Sequence, residues 1–169
     1  IGDNNNDSGS QNTYGIAVDL RGDVQAVMNI TGNIIRHTDQ EGIFIQSRLE
    51  NALSAGDPSY ALTLRNNTVA NIDDNSAFPF VTLYGVRIES RNNTQLCLDI
   101  QDNSSTSVGG LEHFRVRQRD ASIFRLERFG GVGTDENAVA GFIVGQNVIG
   151  STASATKSTT YTGVLDNFC

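Results

Sequence analysis

Apolar and polar positions alternate with period 2 over most of this chain, as in GIFIQ (42–46) and GVRIE (85–89). That period predicts strands, because successive side chains of a strand point to opposite faces. Runs that open on Gly recur at Gly15 (GIAVDLR), Gly42 (GIFIQSR) and Gly85 (GVRIESR), each with an Arg six residues later. HFRVRQR (113–119) keeps the frame with His113 in the Gly place. A second apolar run follows each: VMNITGN (27–33), ALTLRNN (61–67), LCLDIQDN (96–103) and IFRLERF (123–129). Aligning Met28, Leu62, Leu98 and Phe124 gives steps of 34, 36 and 26 residues. A unit that keeps its strands while its loops change length is the signature of stacked repeats. The insertions, LENALSAGDPS (49–59) and DDNSAFPF (73–80), are rich in turn residues and are expected as surface loops. A third, shorter strand follows the Asn, as in NII (33–35) and NTVANI (67–72).

One such unit cannot bury its apolar stripe, but stacked units can. They would place Met28, Leu62, Leu98 and Phe124 in one inward column and Ile30, Leu64, Ile100 and Leu126 in another. Asn33, Asn67 and Asn103 are then turn residues, able to bond from unit to unit and to tolerate a left-handed backbone. LTLRNNTVANI (62–72) with YGVRIES (84–90) resembles the repeat of right-handed parallel β-helices of the pectate-lyase-like class. The resemblance implies an all-β fold of about four coils over residues 14–130, preceded by a polar leader, 1–13. It departs from the pattern in its long insertions and at Phe129, which takes the aligned Asn position.

After the coils the period changes. In TDENAVAGFIVGQN (134–147), Val139, Phe142, Ile143 and Gln146 fall at helical spacing, Thr134 suits an N-cap, and Asp135 and Glu136 suit the positive end of the helix dipole. Residues 131–169 are therefore expected as one short helix capping the raw end of the stack, followed by a polar Thr/Ser-rich tail.

Charge narrows the function. The 169 residues carry a formal net charge of −7, so a general nucleic-acid surface is excluded and any anion site must be local. The longest apolar run, AVAGFIVG (138–145), is far short of a membrane span. The sequence opens on Ile1 without a signal-like segment, as expected of a mature product or a piece of something longer. The two cysteines, Cys97 and Cys169, read either as a disulfide or as separate thiols. In the stacked arrangement Cys97 points outward, where a tail running along the outside can meet it. A Cys97–Cys169 disulfide in an exported protein is the expectation, in keeping with the resemblance.

With Ile and Val of the Gly-led strands facing inward, the outward ladders are Ala17/Phe44/Arg87/Arg115, Asp19/Gln46/Glu89/Arg117 and Arg21/Arg48/Arg91/Arg119. Guanidinium groups repeating about every 4.8 Å suit a carboxylated or sulfated polysaccharide. Arg48, Arg91, Arg117, Arg119 and Glu89 are the candidate ligand-binding residues. The plainer reading is that Asp19, Glu89 and Asp120 neutralise the row. Hydrolases of the resembled class carry Asn-Thr-Asp, Gly-His-Gly and Arg-Ile-Lys signatures. This chain has Arg87-Ile88-Glu89 and the pair Asp73-Asp74, but neither Gly-His-Gly nor Arg-Ile-Lys, and no catalytic residue is assigned. No cofactor is expected, with calcium kept as the alternative. The nearest approach to a calcium loop, Asp3, Asn5 and Asp7, lacks the Gly at its sixth place and the closing Glu. The leading expectation is a non-catalytic, extracellular module of a bacterial surface or secreted protein, serving display, adhesion or assembly. A polysaccharide-binding or polysaccharide-degrading domain is the alternative, and stacking on upstream coils or self-association is a further possibility for the open first coil.

Overall fold

The fold rests on strands that return to the same sheet every third element. A computed structural model of the protein describes residues 14–38, 40–48, 59–72, 84–108, 112–131, 135–149, 153–157 and 161–164. The polar leader, the loops 49–58 and 73–80 with Asp73 and Asp74, the expected N-cap Thr134 and Cys169 lie outside the described residues. The first row comprises β1 (Ile16–Arg21), β2 (Gln25–Thr31) and β3 (Ile34–Thr38), and the second β4 (Ile43–Arg48), β5 (Ser59–Arg65) and β6 (Thr68–Ile72). The third comprises β7 (Tyr84–Ser90), β8 (Gln95–Gln101) and β9 (Ser104–Val108). The fourth has β10 (Glu112–Gln118), β11 (Ile123–Glu127), a helix α1 (Glu136–Gln146) and β12 (Val148–Ile149). Two more strands, β13 (Ala153–Lys157) and β14 (Tyr161–Val164), complete the described chain.

These strands form three sheets, β1-β4-β7-β10-β13, β2-β5-β8-β11-β14 and β3-β6-β9-β12, and every pairing is parallel. The protein is thus predominantly β. Parallel strands need long connections, and here the other two sheets supply them. In the first sheet the register is the expected one: Ile43 pairs Val86, Phe44 pairs Arg87 and Gln46 pairs Glu89, then Arg87 pairs Arg115 and Glu89 pairs Arg117. The alternating inward residues, among them Ile43, Ile45, Leu62, Leu64, Ile88, Leu98 and Phe114, make one buried core.

The second sheet corrects the expected columns. Leu126, not Phe124, pairs Leu98, and Phe124 pairs Leu96. A slip of two residues leaves every side chain on its own face, so hydrophobic alternation cannot detect it. Phe129 consequently does not occupy the Asn position. Asn147 does: Asn33, Asn67, Asn103 and Asn147 form one chain of hydrogen bonds. The left-handed residues at these turns are the ones before the ladder asparagines, Gly32, Asn66 and Asp102, with φ of 68°, 55° and 57°. The ladder Asn needs its side chain turned inward, so its neighbour absorbs the bend.

The helix also departs from expectation. It lies between β11 and β12, within the fourth row, and its N-cap is Asp135, whose carboxylate accepts from the backbone N–H groups of Asn137 and Ala138. Val139 and Ile143 are wholly buried in the core, and the helix packs against β8, β12 and β13. The stretch read as a polar tail contributes β13 and β14, which extend the first and second sheets. ASATK carries no large apolar residue, so nothing in it announces a strand.

The Gly at the head of each first strand has a packing cause. A Cβ on Gly42 would stand 2.4 Å from Val69 Cγ1 and 2.9 Å from the Gly85 carbonyl oxygen, and one on Gly85 would stand 2.3 Å from Ser105 Oγ. Side chains of the third sheet fill the corner that a Cβ would need. In the fourth row His113 takes this place, with Nδ1 3.0 Å from Ser105 Oγ. We expect Gly42→Ala to destabilise the fold by roughly 1–3 kcal/mol through overpacking. Chemical denaturation of Gly42→Ala, Val69→Ala and the double variant checks this, the double variant recovering part of the loss because the clash with the Gly85 carbonyl remains.

Candidate functional site

The outer face of the first sheet gathers most of the chain's basic residues. Arg21, Arg48, Arg87, Arg91, Arg115, Arg117 and Arg119 are seven of the 12 Lys and Arg in the sequence. Parallel, in-register pairing lifts like residues over like, so Arg87 stands beside Arg115. Such a ladder is tolerable only with counter-charge between its rungs.

Glu89 supplies it. It lies on the outward side of β7 yet is 0% exposed, because arginine side chains roof it. Its Oε2 accepts from Arg87 Nη2 at 3.1 Å and Arg91 Nη2 at 2.9 Å, and its Oε1 stands 3.4 Å from Arg117 Nη1 and 3.5 Å from Arg119 Nη1. Burial raises its proton affinity, but the hydrogen bond from Arg91 and the charges of Arg87, Arg91 and Arg117 outweigh that and hold the carboxyl below the ordinary carboxylate range. Arg87 Nη1 also donates to Glu41 Oε1 at 3.0 Å. Its guanidinium lies 5.2 Å from the ring centre of Phe44, which in turn stacks on Tyr14. Arg115 lies 5.1 Å from the ring centre of Tyr84 and donates to its hydroxyl.

The expected stripe therefore divides. Arg91, Arg117 and Arg119 meet at Glu89, whereas Arg48 pairs with Asp19 at 2.8 Å, and Asp19 also binds Arg21 at 2.6 Å. Burial raises the Asp19 carboxyl, but hydrogen bonds from Arg48 and Arg21, with their charges, bring it down to about 2. Asp120 accepts from the Asn92 backbone N–H at 3.1 Å. Sequence reasoning placed Arg87 and Arg115 on this face but did not connect them to the cluster, and it missed Glu41 and Tyr84. The signal was available for both, since Glu41 stands one residue ahead of Gly42 as Tyr84 does ahead of Gly85.

Arg117 reports the balance of charge. Its affinity for a proton is lowered by burial and by Arg119, opposed by Glu89 and lowered again by Arg115 and Arg87. Among the described residues the carboxylates of Asp19, Glu41, Glu89 and Glu112 pair with arginines of this face.

A second buried carboxylate repeats the device on the second sheet. Asp99, on β8, is clamped by Arg65 and by Arg128, the latter at 2.6 Å. Nearby, Cys97 is disulfide-bonded, while its expected partner Cys169 lies outside the described residues. Among the described residues no three His, Cys, Asp or Glu side chains are grouped to hold a metal, and no helix is long and apolar enough to cross a membrane. No family model, curated protein or solved structure matches the chain.

Because its pKa in the folded protein is depressed, Glu89 stabilises the fold fully above the ordinary carboxylate value and progressively less as pH falls through its lowered value. Asp19 behaves alike, its contribution being lost between 3.8 and about 2. Glu89→Gln should cost about 2–3 kcal/mol at neutral pH, less than for a fully enclosed pair because its arginines keep partial contact with water. Urea midpoints from pH 7 down to pH 2 check this. The gap between wild type and Glu89→Gln should narrow in acid, where the wild-type carboxyl is itself protonated.

Proposed function

We propose that the chain is a non-catalytic right-handed parallel β-helix module of the pectate-lyase-like architectural class. In this reading it belongs to a bacterial surface or secreted protein and works in adhesion, holding an anionic glycan on the outer face of its first sheet. The all-parallel pairing in three sheets, with a strand returning to each sheet every third element, supports the architecture. The asparagine ladder at one corner supports it as well. The disulfide at Cys97 fits export, since such bonds persist in oxidising compartments.

The observation that carries the functional reading is the arginine lattice built around Glu89. One buried carboxylate fixes four guanidinium groups, and Arg117 and Arg119 remain about one-third exposed. Preorganised guanidinium groups bind carboxylate or sulfate bidentately, and fixing them beforehand lowers the entropy lost on binding. The same geometry argues against hydrolysis or elimination at this face. Both Glu89 oxygens are already engaged, so that carboxylate offers no free base or nucleophile.

The test is binding to a sulfated glycan such as heparin and to polygalacturonate, across a salt series. Wild type should bind with salt-sensitive affinity, and Arg117→Ala/Arg119→Ala should weaken it roughly tenfold or more. Equal binding by the double variant would overturn the arginine reading. Release of unsaturated oligosaccharide from polygalacturonate, abolished in Arg91→Ala, would overturn the non-catalytic one.

A further inference from the structure

The arginines of the first sheet are not all held alike. On β1 and β4 they grip a carboxylate closely: Arg21 gives Nε and Nη2 to Asp19 at 2.8 and 2.6 Å, and Arg48 gives the same two atoms at 3.2 and 2.8 Å. On β7, Arg87 is engaged by Glu41 and Glu89 and lies against the rings of Phe44 and Tyr84, while Arg91 donates to Glu89 at 2.9 Å. On β10 the hold is looser. Arg117 and Arg119 come closest to a carboxylate through Nη1, at 3.4 and 3.5 Å, and both reach the same oxygen, Glu89 Oε1.

Counter-charge also reaches β10 unevenly. Glu89 pairs in register with Arg117 on the β7 side, and Asp120 serves that same side, accepting from the Asn92 backbone N–H. On the other side the neighbouring strand is β13, ASATK, in which Ser154 stands opposite Arg115 and Thr156 opposite Arg117. The sequence has no Asp or Glu between Glu136 and Asp166, so β13 brings no carboxylate. The lowered proton affinity of Arg117, set first by burial and then by the charge of Arg119, agrees with this one-sided arrangement.

Resting on the glycan reading above, we propose that Arg117 and Arg119 form a subsite for a sulfate ester of the glycan, on the β13 side of β10. The two side chains rise from alternate residues of one strand, roughly 6–7 Å apart at the backbone. Their shared contact with Glu89 Oε1 shows that one acceptor can be within reach of both. Each guanidinium has five N–H donors, so engaging Glu89 through Nη1 leaves most of the fork for an anion. A carboxylate has two oxygens in one plane and completes a single fork. A sulfate ester has three terminal oxygens spread about sulfur, so one group accepts from both arginines at once. Hydration favours the same choice. Guanidinium is weakly hydrated, and a sulfate ester, its charge shared over three oxygens, gives up water more readily than a carboxylate.

The test compares dextran sulfate, which has sulfate and no carboxylate, with polygalacturonate, which has carboxylate and no sulfate, at matched charge per sugar residue. Wild type should bind dextran sulfate at least roughly tenfold more tightly. Equal or tighter binding of polygalacturonate would overturn the sulfate subsite and leave the glycan reading standing; binding of neither would overturn both. Equal binding of a single-stranded thymidine oligonucleotide, whose phosphodiesters have two free oxygens, would overturn sulfate recognition in favour of plain polyanion attraction. Position is tested by added charge. Thr156→Glu sets a carboxylate opposite Arg117 and should weaken dextran sulfate binding roughly tenfold, whereas Ala17→Glu adds the same charge on β1 and should change it less than about twofold. Ser154→Glu, opposite Arg115, repeats the test at a second position. Equal weakening by the β13 and β1 variants, at urea midpoints close to wild type, would overturn the placement.

Discussion

In-register parallel pairing is the interaction from which the rest of this structure follows. Residues that align between rows sit one strand spacing apart, about 4.8 Å, so whatever a row presents must be compatible with a near-copy of itself above and below. Apolar columns satisfy that requirement without further arrangement. Polar residues satisfy it only if donor and acceptor lie on the same side chain and point opposite ways. Asn does this: its Oδ1 receives the row before while its Nδ2 reaches the row after, so Asn67 and Asn103 can be 1% exposed with their hydrogen bonds made. Asp in the same column would lack the donor, and Ser would lack the reach.

Charge meets the same requirement differently. Two like charges one spacing apart repel by about 3 kcal/mol at the effective dielectric near a protein surface, more than an exposed ion pair returns. A column of arginines is therefore costly unless a carboxylate interrupts the neighbouring column. Glu89 interrupts it for four arginines, and Asp99 interrupts the second sheet for Arg65 and Arg128. Both acids occupy outward positions and are buried by the arginine stems they attract. Burial of a carboxylate is tolerated here because it is shared among several partners, each still partly in water.

Period-2 alternation made the first sheet legible in the sequence. The in and out assignments of Ile43, Phe44, Ile45 and Gln46, and their partners in β7 and β10, follow from aligning the Gly-led runs. What the alternation cannot carry is a slip of two, and that is where Phe124 and Leu126 were misaligned. The same limit hid Asn147, since the helix separates it from the run that it completes. β13 was illegible for another reason: ASATK offers no apolar residue large enough to mark a face. The site was legible as a set of outward arginines. It was not legible as two clusters, because which arginine reaches which carboxylate depends on stems that bend across rows.

The first corner shows how polar residues are admitted to the interior. Ser47, Ser90 and Gln118 point inward where Leu20 points inward in the first row. They do not break the core, because Thr94 and Ser122 come in from the following turn: Thr94 bonds Ser47, Ser90 and the Arg91 carbonyl, and Ser122 bonds the carbonyls of Ser90 and Arg119. Asn92 and Asp120 take the left-handed positions that let those hydroxyls turn inward, with φ of 59° and 56°. A polar corner built this way also fixes the direction in which Arg91 and Arg119 leave the backbone, so the interior hydroxyl network helps aim the arginines at Glu89. The basic face is thus held from both sides, by a carboxylate above the sheet and by hydroxyls beneath it.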